Sequence, residues 1–178
     1  FTIVDPKKLG SKKPTDAAKF YTGGGGHITL AVHDRTIGYA TWIDRDGDNT
    51  GRVDVVALNP SSENGVGSFK LPTGGIHGAA IAAGRAFFAP VDGICSVQVK
   101  QDINRLKQGE GIEHVSLGSD ESSGRPNRTG AFESYGNSVF FTYGTGESSR
   151  MGILDGTETK LQLRELAIPA PPGLANMT

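Results

Sequence analysis

Cysteine is almost missing from this chain of 178 residues. Cys95 stands alone, which excludes a disulfide within the chain and leaves pairing only with a cysteine elsewhere. Set in a strand-like run, it reads first as a buried free thiol. No apolar run approaches the ~20 residues that a helix needs to cross a bilayer, so no membrane span is expected. Neither sign of charge prevails, with 18 lysines and arginines against 19 aspartates and glutamates. Without a basic field to attract phosphates, nucleic acid is not an expected partner. Apolar residues at helical spacing are also scarce, and Val99 to Gly109 reads as a long loop with at most one helical turn. No Gly-x-Ser-x-Gly elbow and no acid pair at a defined spacing occur, so no nucleophile is nominated and the chain is not read as an enzyme.

What the chain has is glycine, 26 residues of it, and a repeat. The segment His27 to Trp42 lies over His77 to Asp92 and again over Thr129 to Gly144, at spacings of 50 and 52 residues. Each copy reads as a strand, a turn pair (Asp34-Arg35, Gly84-Arg85, Gly136-Asn137) and a second strand rich in aromatic and β-branched residues, the pattern of a hairpin. A third strand follows at Gly51–Leu58, Gly93–Val99 and Ser149–Asp155. A fourth follows at Gly67–Pro72, Ile112–Gly118 and Leu161–Pro169. Four strands at a period of about 40–50 residues are the pattern of a β-propeller blade. The apolar fraction of 36% suits a β-repeat protein with many exposed turns.

The N-terminal stretch fits the same scheme. Phe1–Pro6 matches the third strand Val53–Pro60, and Ala18–His27 matches the fourth strand and glycine run of Ser68–His77. The expected fold is therefore all-β, a partial propeller of about three and a half antiparallel four-stranded blades forming one unit. Residues 1–23 supply the outer strands of a partial blade, 24–73, 74–125 and 126–172 are whole blades, and 173–178 form a tail. Closed propellers usually have 4–8 blades, and an open arc leaves apolar blade faces uncovered. The expected partners are thus the remaining blades of a longer protein of which this chain is a piece, a second copy of it, or another subunit.

Among side chains able to do chemistry, two histidines are prominent. His27 and His77 open equivalent inner strands directly after Thr22–Gly26 and Thr73–Ile76, so neighbouring blades would bring them toward a common channel. Neutral imidazole is a good zinc ligand, and both are candidate metal ligands. The alternative is that each caps its strand by bonding a carbonyl of the next blade. Thr129 breaks the pattern in the third copy, so further ligands would come from elsewhere. His33 lies about 20 Å along the strand from His27 at ~3.3 Å per residue, too far to share an ion. It and His114, on an outer strand, are expected at the solvated surface.

Asp44–Gly51 alternates aspartates like a calcium loop, but Asn49 stands where glycine is needed and Val55 where the bidentate glutamate belongs, so a polar hairpin loop is expected. Gly144–Glu147 and the four-glycine run precede no helix and are not phosphate cradles. Asn127-Arg-Thr129 and Asn176-Met-Thr178 match the glycosylation pattern.

The glycine-histidine segment Gly23–His27, the run Gly74-Gly-Ile-His-Gly78 and the segment Ala82–Ile94 resemble the periplasmic zinc metallochaperones associated with zinc ABC importers, which are β-propellers. The resemblance covers residues 20 to 100 best and the rest only in blade pattern. It implies zinc held by His27 and His77, delivery to a solute-binding protein of the importer, and a periplasmic or extracellular location. The chain departs from that family in having no histidine-rich loop and no internal disulfide. The rival reading is a scaffold propeller whose loops dock a protein while its histidines are structural. A third, an enzyme with a channel cofactor such as a quinone, has no residue to represent it here.

Overall fold

The computed structural model describes residues 1–10, 13–58, 67–99, 101–145 and 148–166. The chain is all-β with a few short helices. Its strands are β1 (Thr2–Val4), β2 (Ala18–Phe20), β3 (Leu30–His33), β4 (Ile37–Thr41), β5 (Arg52–Ala57), β6 (Gly67–Lys70), β7 (Ala79–Ala82), β8 (Arg85–Phe88), β9 (Ile94–Gln98), β10 (Glu113–Val115), β11 (Glu133–Tyr135), β12 (Ser138–Tyr143), β13 (Arg150–Asp155) and β14 (Arg164–Leu166). Three antiparallel four-stranded sheets run in chain order, β3–β6, β7–β10 and β11–β14, and β1 pairs with β2 in a sheet of two. A 3-10 turn at Pro6–Lys8 and a four-residue helix, α1 (Pro14–Ala17), join β1 to β2. The helical turn expected after Val99 is α2 (Ile103–Lys107), with Asp102 accepting the Asn104 amide at its start.

The strands lie close to where the hydrophobic alternation puts them, but the hairpin turns are not all alike. In the first sheet Asp34 and Arg35 are both left-handed and the Thr36 amide bonds the His33 carbonyl, yet pairing resumes with Ile37 opposite His33. Thr36 is thus one extra residue. In the second, Ala83 and Gly84 have positive φ and Arg85 already pairs with Ala82, the geometry of a two-residue type I′ turn. The expected turn pair Gly84-Arg85 is therefore corrected to Ala83-Gly84, because the first repeat's additional residue shifts the alignment by one. Gly136-Asn137 turns as expected, with Tyr135 opposite Ser138.

Two cores hold the three sheets together. Tyr39, Val53, Val55 and Phe69 of the first sheet pack on Phe88, Cys95 and Val97 of the second. Phe87 and Ile94 leave the opposite face of the second sheet to meet Val139, Phe141 and Leu154 of the third. Successive strand residues point to opposite faces, so a sheet buried on both sides needs a continuous apolar run. Ala-Phe-Phe at 86–88 and the wholly buried β8 are that run. The edge strand β7 touches β3 on one side and β11 and β12 on the other. The last residues of the expected fourth strand, 167–169, and the tail 173–178 lie outside the described residues.

A buried arginine fastens the second sheet to the third. Arg85, 6% exposed, donates to the Gly156, Glu158 and Thr159 carbonyls and to Ser96 Oγ, and pairs with Glu113 at 2.8 Å. Glu113 in turn accepts the Leu161 amide at 2.5 Å. One guanidinium thus satisfies carbonyls of the β13–β14 loop that the contact between sheets would otherwise bury unpaired.

Candidate site at the histidine pair

The glycine run before His27 is fixed by an aspartate on the outward face of the first sheet. Asp54, 7% exposed, accepts the Gly24 amide at 2.8 Å and the Trp42 indole N–H at 2.8 Å on one oxygen, and Arg52 Nε at 2.8 Å on the other. Burial alone would raise its pKa, but the three donors and the Arg52 charge outweigh it and hold the carboxyl below its ordinary range. Arg52 also lies over the Trp42 ring, 5.1 Å from its centroid. The run needs glycine for room: a Cβ on Gly25 would lie within the Trp42 ring, and Gly24 and Gly26 have positive φ.

The second glycine pair is held by backbone. Gly75 donates to the Asp44 carbonyl at 3.0 Å and Val91 donates to Gly74 at 3.1 Å, while the His77 amide bonds Ala89 at 3.0 Å. Both histidines lie ahead of the first strands of their sheets rather than opening them, His27 three residues before β3 and His77 two before β7. The glycine runs make their own bridges to neighbouring strand ends, such as Gly25 with Trp42, and the regular ladder starts only afterwards.

Their rings meet. His27 and His77 stack with centroids 4.9 Å apart and an interplanar angle of 20°, and both residues are exposed. His77 Nδ1 lies 3.1 Å from the Gly130 carbonyl, on the segment that opens the third sheet. A carbonyl only accepts, so Nδ1 carries the hydrogen and Nε2 of the neutral ring keeps its lone pair. Metal-bound histidines commonly have this arrangement, with the second nitrogen tied to backbone. It is equally the strand-capping bond of the structural alternative, made here by His77.

The chemistry of the pair tests the fit to a metal. Two imidazoles are half of a tetrahedral set, and among the described residues no group of three or more His, Cys, Asp or Glu side chains is gathered. Thr129, at the third equivalent position, is 2% exposed and its hydroxyl donates to the Ala131 carbonyl, so it does not reach the pair. Lone pairs of nearly parallel rings run side by side, whereas nitrogens ~2.0 Å from a common ion must converge. Sharing an ion therefore requires one ring to turn.

The remaining candidates fall elsewhere. His33 Nε2 contacts Asp34 at 3.0 Å, and its side chain is only 19% exposed, more buried than the surface role expected for it. His114 lies on β10 as expected, 3.3 Å from Asp92, which also accepts the Thr73 hydroxyl at 2.6 Å. Cys95 is a buried thiol, pushed up to about 12 by burial and the Asp92 charge. Asp44 to Gly51 forms a polar loop between β4 and β5, and none of its aspartates makes an ion pair among the described residues. Asn127 donates its amide to the Leu117 carbonyl, whereas Asn176 and residues 146–147 lie outside the described residues. Sequence reasoning missed the Asp54 cluster and two arginines near the histidines, Arg45 and Arg128. The only signals for the cluster were an acidic residue inside the apolar run of β5 and the chain's single tryptophan.

Compared with protein-family models, curated proteins and solved structures, the chain matches none.

Proposed function

We propose that this chain forms three blades and the outer half of another in a β-propeller, and that His27 and His77 contribute two ligands to a site that carries a divalent metal, zinc by its preference for imidazole, without chemical turnover. The observation that carries the reading is the 4.9 Å approach of the two rings, with His77 Nδ1 anchored on Gly130 and Nε2 left for a ligand bond. Zinc here is cargo. The remaining ligands come from further blades or from the receiving partner, by the resemblance a solute-binding protein of a metal importer, in the periplasm or outside the cell.

The exposed faces favour a second reading, a propeller that docks other protein through its surfaces. Phe20 and Tyr135 are 76% and 83% exposed, and Val4, Leu9 and Leu166 are exposed as well. On that reading the histidine stack is a strand-capping device. Calorimetric titration of zinc into wild type and into His27→Ala/His77→Ala separates the two. Metal carriage requires saturable binding that weakens about tenfold or more in the variant. Equal affinity in both proteins removes the site and leaves the docking reading.

A further inference from the structure

The geometry points to an oxyanion site, for a carboxylate or phosphate group, formed by Arg45 and Arg128 where the first sheet, the second sheet and the start of the third meet. Arg45 stands in the loop after β4 and lies along Gly75, where a Cβ would come 3.2 Å from its Cγ and 3.6 Å from its Nε. The absence of a side chain at Gly75, with φ of 65°, is what lets the arginine lie there. Arg128 reaches the same glycine from another segment, its Nη2 donating to the Gly75 carbonyl at 3.4 Å. Two cationic groups are thus brought to one residue from parts of the chain 83 positions apart.

Like charges brought to one place repel unless a negative charge lies near them. Arg45 is exposed and Arg128 half-buried, and the other arginines withdrawn from water have a carboxylate partner: Arg52 pairs with Asp54 and Arg85 with Glu113. Among the described residues, neither Arg45 nor Arg128 bonds a carboxylate. Asp44 beside Arg45 turns to the glycine run instead, its Oδ1 3.9 Å from the place of a Cβ on Gly26. Burial, then the Arg45 charge, lowers the pKa of Arg128, the response of a half-buried cation lacking a counter-charge. Planar guanidinium groups match the oxygens of carboxylate or phosphate with two parallel bonds. His77, two residues beyond Gly75, and Gly130, two beyond Arg128, put the imidazole pair beside this site.

The site does not rest on metal binding, and its test is run without metal. Inorganic phosphate and succinate are titrated separately into chelator-treated protein by calorimetry, with arginine Nε chemical shifts followed by NMR. Wild type is compared with Arg45→Gln/Arg128→Gln and with a control, Arg35→Gln/Arg125→Gln, which removes the same charge from two exposed positions elsewhere. We expect saturation below about 10 mM, shifts of the Arg45 and Arg128 signals, and affinity weakened about tenfold or more in the first variant but not in the control. The tighter probe distinguishes a phosphate from a carboxylate. No saturation with either probe, or equal loss in variant and control, overturns the site. Thermal midpoints of the two variants show whether a loss reflects unfolding, and in that case the wild-type Nε shifts decide. Zinc titration of the same proteins is read separately, so either site can fail while the other stands.

Discussion

A single carboxylate organises the approach to the histidine pair. Asp54 gathers the Gly24 amide, the Trp42 indole and Arg52, so it ties the glycine run, the end of β4 and the start of β5 into one unit. Bonds to a buried ionised group are worth more than neutral ones, and removing the charge should cost about 1–3 kcal/mol. Asp54→Asn keeps the size of the side chain and an acceptor oxygen while losing the charge. The folded-state pKa is depressed below the ordinary 3.8, so the carboxylate stabilises the fold at all pH above that value, and its contribution disappears as pH falls through the folded-state pKa. Wild type should exceed Asp54→Asn in denaturant midpoint at pH 7, with the gap narrowing only as pH falls below the ordinary 3.8 and through the lower folded-state pKa. A gap that stays constant from neutral to acid pH would mean that shape rather than charge matters there. Because the chain has one tryptophan, its fluorescence reports on this cluster directly.

At the scale of elements, the contact between the second and third sheets depends on more than apolar packing. Arg85 is buried at the start of β8, and its bonds to three carbonyls cross to the β13–β14 loop, while Glu113 on β10 pairs with it within the second sheet. Replacing it by methionine preserves much of the stem's packing but leaves the half-buried Glu113, with 24% of its side chain exposed, without its cation. Breaking a fully buried pair costs about 3–5 kcal/mol, and the partial exposure of Glu113 brings the cost here to about 1–3 kcal/mol. Arg85→Met should therefore lose that much stability in urea unfolding, and Arg85→Met/Glu113→Gln should recover part of it. If Arg85→Met matches wild type, the clamp contributes nothing. This residue also shows where sequence reading stops. The three hairpins were legible because alternation and turn residues act locally, whereas the double-sided burial of β8 follows from an unbroken apolar run that the repeat alone does not single out. Arg85 was read as a turn residue, because the left-handed Ala83 that makes the real turn is a conformation that alanine does not advertise. The histidine approach was legible as a repeat of glycine-histidine runs, but the ring stacking depends on bridges such as Gly25 to Trp42 that join segments distant in sequence. Arg45 and Arg128 were invisible for the same reason: their meeting point is a glycine in a third segment.

Across the whole molecule, burial is unequal. The second sheet is covered on both faces, whereas β1 and β2 expose Val4 and Phe20, and every residue of β11 and β14 is exposed. Tyr21 fastens the N-terminal strands to the first sheet through its bond to the Leu58 carbonyl, but a cavity of about 980 Å³ remains between them, lined by Ile3, Val4, Val32 and Leu58. Covering a large apolar side chain contributes about 1.5–3 kcal/mol, so Phe20 and Tyr135 at opposite ends of the sheet series are the places where association would gain most. A flank of one copy meeting the other flank of the next makes a head-to-tail contact, which closes into a ring or continues as an open chain. Sedimentation velocity of the isolated chain should therefore show mass rising with concentration, and Phe20→Ser/Tyr135→Ser should shift the distribution to monomer while leaving the thermal midpoint nearly unchanged, since neither side chain is in a core. A wild type that stays monomeric at every concentration would show that these flanks are compatible with water as they stand, and the argument for blades beyond them would lose its energetic basis.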